Sequence, residues 1–391
     1  MSAPTRPDTL RAPGASNDPP TSDIPMLDLA AEVGELWSEI QPAVERVLKS
    51  GHFIGGREVE AFEEEVAAYL GVRHAVGLNS GTDALVLGLE ALGIGPGDEV
   101  ITSPFSFFAT SEAILRVGAT PRFGDVDPRT MNLDPATLEG RITERTRAIL
   151  PVHLFGLPAE VEPILDVARR HDLAVLEDCA QAFGATHIGK RVGSFGAIGA
   201  FSFYPTKNLG AYGDGGLAVT DDDELARRLR SLRNHGSSPA DKYRHERLGH
   251  NSRLDALQAA ILRVKLPKVD AWNERRRALA AGYHDALRES AGVGAPPAFT
   301  LPHLHPEHVF HQFTVQVEPN LRPAFERALQ EARVAFSRFY PAPLTHQPDG
   351  CSFDEAPTAL ALAERVVSLP LHPWLPQEAF ARVRSAAERV A

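Results

Sequence analysis

The chain is 391 residues long, with 43% hydrophobic residues, 23% charged residues and a formal net charge of −11. These values are typical of a globular protein with one large or two ordinary domains of about 150 residues, and the acidic balance argues against nucleic-acid binding. No apolar run approaches the about 18 residues that span a bilayer, residues 1–23 hold no secretory signal, and two cysteines are too few for a disulfide framework, so we expect a soluble cytoplasmic protein.

The N-terminal segment, residues 1–23, contains five prolines among Ser, Thr, Asp and Gly. It cannot bury enough apolar surface to offset its ordering entropy, so we expect it to be disordered. Two amphipathic helices follow, and glycines mark their ends. The first carries apolar residues from Leu36 to Leu48 and ends at Gly51; the second carries them from Val59 to Leu70 and ends at Gly71.

Short apolar segments then alternate with helical ones up to about residue 220. This alternation predicts a mostly parallel seven-stranded sheet flanked by helices, an α/β fold whose ligands bind beyond the carboxyl ends of the strands. The predicted strands are His74–Asn79, Glu99–Ser103, Thr120–Asp125, Arg147–Val152, Ala174–Glu177, Gly199–Phe203 and Gly216–Thr220. Helical periodicity lies between them, for example over Thr82–Leu92 and Pro158–His171.

The C-terminal part predicts a smaller α+β domain. A long helical stretch, Arg253–Glu289, leads into a region with one clear strand, Phe310–Val317, and further helices. We therefore divide the chain into a tail at 1–23, a large α/β domain at 24–262 and a small domain at 263–391.

Three patterns resemble ligand sites but have simpler interpretations. Gly184–Lys190 has the spacing of a phosphate-binding P-loop, yet Arg191 replaces the hydroxyl residue that the motif requires. Gly93–Gly97 follows a helix and precedes a strand, the reverse of a dinucleotide fingerprint, and reads as a helix-ending turn. The histidines His303, His305, His308 and His311 flank two prolines, which favours a surface loop over a metal site.

Three other segments together predict a specific chemistry. Asn79–Leu85 follows a strand and opens a helix at Gly81, where free N–H groups suit a phosphate, although an N-cap is often purely structural. Asp178 ends a buried strand; alone, an active-site acid and a helix N-cap or loop acid are about equally favoured. Lys207 lies between an apolar strand and a glycine-rich turn, where burial lowers a lysine pKa and favours a nucleophile, although a single lysine is by default a surface residue.

A phosphate cradle, an acid and a reactive lysine are the groups that hold pyridoxal 5'-phosphate. The lysine attaches to the aldehyde, and the acid pairs with the pyridine nitrogen.

On these residues the chain resembles the DegT/DnrJ/EryC1/StrS family of pyridoxal phosphate-dependent sugar aminotransferases, which have fold type I. The resemblance runs from about Ile24 to the C-terminus. The motifs that carry it are Ser80–Leu85, Glu177–Gln181, Phe201–Lys207, Gly213–Gly216 and Gly249–Asp255.

The resemblance implies a role for each matching residue. Lys207 would carry the cofactor and move the proton, Asp178 would contact the pyridine nitrogen, and Gln181 would lie near the ring. Gly81, Thr82 and Ser202 would hold the phosphate. Phe107 would stack on the ring, with core packing as the alternative. Asn251 would reach the phosphate of a neighbouring subunit, which implies a homodimer with shared sites. His153 would lie near the substrate pocket, with a structural histidine as the alternative.

The segment 333–347 departs from the family pattern. The family usually has Gly-Ile-x-Thr and then Tyr-Pro-x-Pro-Leu-His; here Arg333–Phe336 is followed by Tyr340, and the histidine is displaced to His346. The resemblance implies that this segment, with Tyr340, helps to shape the substrate pocket, so the departure concerns the sugar and not the cofactor.

The resemblance implies that glutamate donates the amino group to a nucleotide-linked keto-sugar in amino-sugar biosynthesis. Two alternatives stay open. A sugar dehydratase or deoxygenase of this fold would have histidine in place of Lys207, and a non-catalytic pyridoxal phosphate-binding regulator would have lost Asp178, Lys207 or Asn251. A nicotinamide-dependent oxidoreductase is not favoured, because the sequence lacks the phosphate-binding motif of that class.

Overall fold

The computed structural model describes residues 23–238, 241–289, 298–347 and 354–390. The predicted disorder of residues 1–23 therefore lies, apart from Asp23, outside the described residues. No helix among those described is both long enough and apolar enough to cross a membrane.

The chain forms eleven α-helices and fourteen strands over the described ranges. The helices are α1 Leu29–Ser50, α2 Arg57–Leu70, α3 Gly81–Ala91, α4 Ala109–Arg116, α5 Val161–Arg170, α6 Asp223–Leu232, α7 Ala256–Lys265, α8 Val269–Glu289, α9 Arg322–Glu331, α10 Pro357–Ala363 and α11 Glu378–Glu388. The strands are β1 His74–Leu78, β2 Glu99–Thr102, β3 Thr120–Phe123, β4 Thr146–Leu150, β5 Ala174–Asp178, β6 Thr186–His187, β7 Lys190–Arg191, β8 Ile198–Ser202, β9 Gly216–Thr220, β10 Ser237–Ser238, β11 Asp241–His245, β12 Phe299–Thr300, β13 Phe313–Val317 and β14 Val366–Leu369.

Seven strands form the main sheet in the order β1-β9-β8-β5-β4-β2-β3. Only β9 runs against its two neighbours; the other pairings are parallel. The predicted α/β fold is therefore confirmed, and each predicted strand is present with its ends shifted by at most two residues.

Helices cover both faces of this sheet because successive side chains of a strand point to opposite faces. In β8, Phe201 packs with residues of α2 and α7, whereas Ala200 packs with α3. Farther along the sheet, Ile149 and Val175 pack against α5. With both faces buried, polar groups gather where the strands end.

A second core forms around the three-stranded sheet β12-β13-β14. Phe313, Val315 and Val317 of β13 pack with α8, α9 and α11. The helix α7 belongs to the first core and the C-terminal half of α8 to the second. A division of the chain at residues 262 and 263 stays a prediction.

Two predicted elements were too long. The helical stretch predicted over Arg253–Glu289 is present but is not one helix: α7 begins at Ala256, and a 3-10 turn at Leu266–Lys268 separates it from α8. Pro267 lacks the N–H that a continuous helix needs. The strand predicted from Phe310 begins at Phe313 because Phe310 has a φ of 44°, outside the extended region.

Gly184–Lys190 forms a hairpin, not a phosphate-binding loop. Thr186–His187 pairs with Lys190–Arg191. Ile188 and Gly189, with φ values of 48° and 75°, make the two-residue turn, in which both positions require positive φ.

Candidate active site

A cleft of about 510 Å³ opens where the main sheet meets the start of α3. It lies beyond the carboxyl ends of β4, β5 and β8, as expected for a sheet of this topology. Eight residues predicted from the sequence line it: Gly81, Thr82, Phe107, Asp178, Gln181, Ser202, Lys207 and Tyr340. His153 and Asn251 do not.

The N-terminus of α3 forms one wall. Ser80 caps the helix by accepting a hydrogen bond from the N–H of Asp83 at 3.1 Å. The N–H groups of Gly81 and Thr82 have no acceptor within the helix and carry the positive end of its dipole. A Cβ on Gly81 would lie 2.5 Å from the Cβ of Ser202. Only glycine therefore lets the helix start approach Ser202 and form an anion cradle.

Asp178 ends β5 with its side chain buried at the cleft. Its Oδ1 accepts the N–H of Ala180 at 3.1 Å and its Oδ2 accepts the hydroxyl of Thr110 at 2.9 Å. Burial raises the pKa of Asp178, while these two hydrogen bonds and the charge of Lys207 act in the opposite direction. The carboxylate is thus available to stabilise a positive charge in the cleft.

Lys207 lies on the turn after β8, where its N–H donates to the carbonyl of Tyr204 at 2.9 Å. Burial lowers the pKa of its amine to about 8, although the nearby Asp178 raises it. More of the amine is therefore neutral near neutral pH than in an ordinary lysine, and only the neutral amine is a nucleophile.

Gln181 connects the cleft to the segment that carries Tyr340. Its Oε1 accepts the N–H of Phe155 at 2.8 Å, and its Nε2 donates to the hydroxyl of Tyr340 at 2.9 Å. Burial raises the pKa of Tyr340, so the phenol keeps its proton and can donate it towards the cleft.

Phe107 is 60% exposed in the chain and lines the cleft. Core packing, the alternative considered above, does not describe this residue. An exposed aromatic ring beside an acid and an amine is available to stack on a flat ligand.

His153 is fully buried outside the cleft. Its Nδ1 accepts the N–H of Ala159 at 3.0 Å, so Nε2 carries the proton and donates it to Glu177 at 3.0 Å. Both ring nitrogens are occupied by protein groups. This geometry favours the structural histidine over the substrate contact.

His153, Glu177 and Cys179 are close enough to share a metal ion, but their chemistry does not favour one. Glu177 already accepts three backbone N–H groups of the loop 193–196 besides His153. Burial alone raises the pKa of Glu177, but the hydrogen bond from His153 and these N–H groups lower it overall. Burial raises the pKa of Cys179 well above its usual value, so the thiol stays protonated.

Asn251 is exposed and lines a neighbouring cavity that shares Asp214 with the cleft. Its Oδ1 accepts from Arg253 at 2.6 Å. Whether Asn251 reaches a partner's site stays a prediction.

The histidine cluster was partly misassigned. His303 is exposed, but His308 and His311 are buried, and His311 lines the cleft. Its Nδ1 hydrogen-bonds Oδ1 of Asn208 at 3.1 Å. The prediction of a surface loop was therefore wrong for His308 and His311. The apolar pair Val309 and Phe310 between them was the signal of burial.

The hydroxyl residues Ser106 and Thr110, which the sequence analysis did not single out, also line the cleft. Ser106 precedes Phe107 in the segment between β2 and α4, and Thr110 lies in the first turn of α4.

Comparison with known proteins places this geometry in context. A model of the DegT/DnrJ/EryC1/StrS aminotransferase family matches residues 35–388. A UDP-N-acetyl-3-dehydro-alpha-D-glucosamine 3-aminotransferase of Acidithiobacillus ferrooxidans is 49% identical over 372 residues, 94% of this chain and 97% of that protein. A protein named "Pleiotropic regulatory protein" from Geobacillus stearothermophilus is 46% identical over 362 residues, 91% of this chain and 95% of the relative.

The fold is also shared with solved structures. The crystal structure of NtdA from Bacillus subtilis with bound cofactor PMP superposes with a TM-score of 0.88 at 33% identity, covering 94% of this chain and 85% of that one.

Proposed function

The chain belongs to the DegT/DnrJ/EryC1/StrS aminotransferase family, and on this premise we propose that it uses pyridoxal phosphate to transfer the amino group of glutamate to a nucleotide-linked keto-sugar. The product is an amino sugar for polysaccharide or glycoside biosynthesis. The observation that carries the proposal is the meeting of Lys207, Asp178 and the start of α3 in one cleft.

The donor set of the cleft suits this cofactor. Its phosphate matches the cradle of Gly81, Thr82 and Ser202, and its ring nitrogen matches the buried carboxylate of Asp178. Phe107 would cover one face of the ring, with Gln181 beside it. When bound, the cofactor withdraws electrons from the reacting carbon and stores the amino group between the two half-reactions.

The protein's own groups supply the proton movement. The Nζ of Lys207 would anchor the cofactor and, as a neutral amine, would take up and return the proton of the reacting carbon. Asp178 would keep the ring nitrogen protonated. Tyr340 donates its hydroxyl towards the substrate side of the cleft, which fits its predicted place in the substrate pocket.

The cations for the substrate's diphosphate must come from outside this cleft. Among the described residues that line it, Lys207 is the only lysine or arginine. A second copy of the chain is the natural source, and we propose a homodimer in which Asn251 of one subunit contacts the cofactor phosphate of the other.

The two alternatives have less support. Lys207 speaks against the dehydratase, which would carry histidine there. One relative bears a regulatory name, but here Lys207 and Asp178 are both present in the cleft, which favours an enzyme over a non-catalytic regulator.

The substrate class can be tested with a panel of ketones. With glutamate in excess, we expect the enzyme to turn over at least one 3-keto or 4-keto hexose linked to UDP or dTDP, with the ketone-dependent formation of 2-oxoglutarate as the measurement. Reactions with Lys207→Ala protein give the background. Turnover of free 2-oxo acids with no turnover of any nucleotide keto-sugar would contradict the proposed substrate.

The shared site predicts complementation between two weak variants. Asn251→Ala and Lys207→Ala proteins are each expected to have low activity. A mixed dimer contains one site with both residues intact, so refolding an equal mixture should recover up to about a quarter of the wild-type rate. Steady-state rates before and after mixing measure this effect, and a mixture no more active than its components would rule out the sharing of Asn251.

A further inference from the structure

The carboxylate of Asp178 receives a chain of two hydroxyl groups. Thr110 Oγ1 donates to Asp178 Oδ2 at 2.9 Å, and Ser106 Oγ lies 2.8 Å from Thr110 Oγ1. A hydroxyl has one proton, and that of Thr110 is already used. Ser106 must therefore donate to Thr110, so both O–H dipoles point towards the carboxylate.

Burial strengthens the two hydrogen bonds that link Ser106, Thr110 and Asp178. Ser106 is 4% exposed and Thr110 1% exposed. Hydrogen bonds to a charged acceptor are stronger than neutral ones, and each bond in a buried chain polarises the next. Since both hydroxyls only donate in this direction, the chain favours the ionised form of Asp178.

We propose that Thr110, supported by Ser106, is a positioning residue that keeps Asp178 ionised and fixes its orientation for the ring nitrogen of pyridoxal phosphate. The proposal rests on the proposed function, because it concerns the grip on that cofactor.

Other charged or titratable groups around Asp178 do not replace this role. Lys207 follows β8 and has a pKa of about 8, so its charge varies with pH, whereas a hydroxyl donor does not titrate in this range. His153 follows β4 and donates its proton to Glu177, the neighbour of Asp178 in β5. Tyr340 has a raised pKa and stays neutral.

The test measures pyridoxal phosphate binding by the cofactor-free full chain as a function of pH. Thr110→Val removes the hydroxyl at nearly constant volume, Thr110→Ser keeps it, and Ser106→Ala removes only the second donor. A matched control exists in the second core, where buried Thr314 hydrogen-bonds Ser368 at 2.8 Å across β13 and β14. Thr314→Val loses an equivalent hydroxyl contact far from Asp178 in the sequence.

We expect Thr110→Val to weaken binding about tenfold or more at neutral pH, because the carboxylate of Asp178 loses the hydrogen bond that holds it in position for the ring nitrogen. The pH at which binding is lost on acidification should rise by about one unit, since the pKa of Asp178 rises. Thr110→Ser should restore both values, Ser106→Ala should shift the pH midpoint in the same direction by less, and Thr314→Val should change neither.

Three results would overturn the proposal: an unchanged pH midpoint in Thr110→Val, a Thr110→Ser protein as weak as the valine variant, or an equal shift in Thr314→Val. If Thr110→Val does not fold, an unchanged pH midpoint of cofactor binding in Ser106→Ala would overturn the proposal instead. Failure of the wild-type protein to bind pyridoxal phosphate would instead contradict the proposed function, so the two failures are distinguishable.

Discussion

Replacement of Lys207 by alanine is expected to lower the rate of amino transfer at least about 10³-fold, because the change removes both the anchoring nucleophile and the group that moves the proton. Purified wild-type protein should be yellow, and the variant should lose the visible absorption band of the lysine-bound cofactor. The amine is reactive only when neutral, so the rate of cofactor capture by the wild-type chain should rise with pH and level off above about 8.

A surface lysine provides the control for this experiment. Lys190 is exposed on the β6–β7 hairpin, and Lys190→Ala should keep the band and the rate. Burial penalises the charge of the Lys207 amine, whereas the nearby Asp178 favours it. Because these two effects oppose each other, the thermal unfolding midpoint of cofactor-free Lys207→Ala should stay near the wild-type value. A yellow, active Lys207→Ala protein would refute the assignment of the anchoring lysine.

Asp178→Asn is expected to reduce the transfer rate by about 10²–10⁴-fold. The amide retains the shape of the side chain, and with Oδ1 accepting from Ala180 its Nδ2 can donate to the hydroxyl of Thr110, but it cannot balance a positive charge on the ring nitrogen. Loss of one partner from a buried charge pair costs about 3–5 kcal/mol, which corresponds to this range. Steady-state kinetics with saturating pyridoxal phosphate measure the effect.

The free energy of unfolding of Asp178→Asn should not fall in parallel with its rate. Burial penalises the charge of Asp178 and raises its pKa, so a neutral amide should leave the free energy of unfolding of the cofactor-free chain unchanged or increase it. Asp166→Asn, which changes an exposed acid on α5 that does not line the cleft, should alter the rate by no more than about threefold. Equal losses in the two variants would show a general field effect and contradict a specific role for Asp178.

Local sequence patterns were enough to predict the sheet. Buried parallel strands are short apolar runs, and β9 was predicted with both ends correct, at Gly216 and Thr220. The patterns did not predict element boundaries that depend on backbone geometry. The turn at Pro267 interrupts a helical periodicity that continues on both sides. The positive φ of Phe310 makes β13 begin later than the apolar pattern predicts.

The site was predictable where its residues lie at strand ends or helix starts, as Asp178, Gly81 and Lys207 do. Contributions that depend on tertiary contacts were not. His311 comes to the cleft through its contact with Asn208, and Thr110 through its contact with Asp178, 68 residues away in the sequence. The residues next to a single hydroxyl or imidazole in the sequence do not indicate which distant residue it will contact.

The backbone of the anion cradle leaves no space for variation. A Cβ at Gly216 would lie 2.1 Å from the carbonyl oxygen of Ser80, just as one at Gly81 would meet Ser202. Both clashes are with neighbours that cannot move aside without displacing a strand or the helix start. A side chain at either glycine would therefore displace the start of α3 from the strand ends, and the N–H groups that form the anion cradle would move with it.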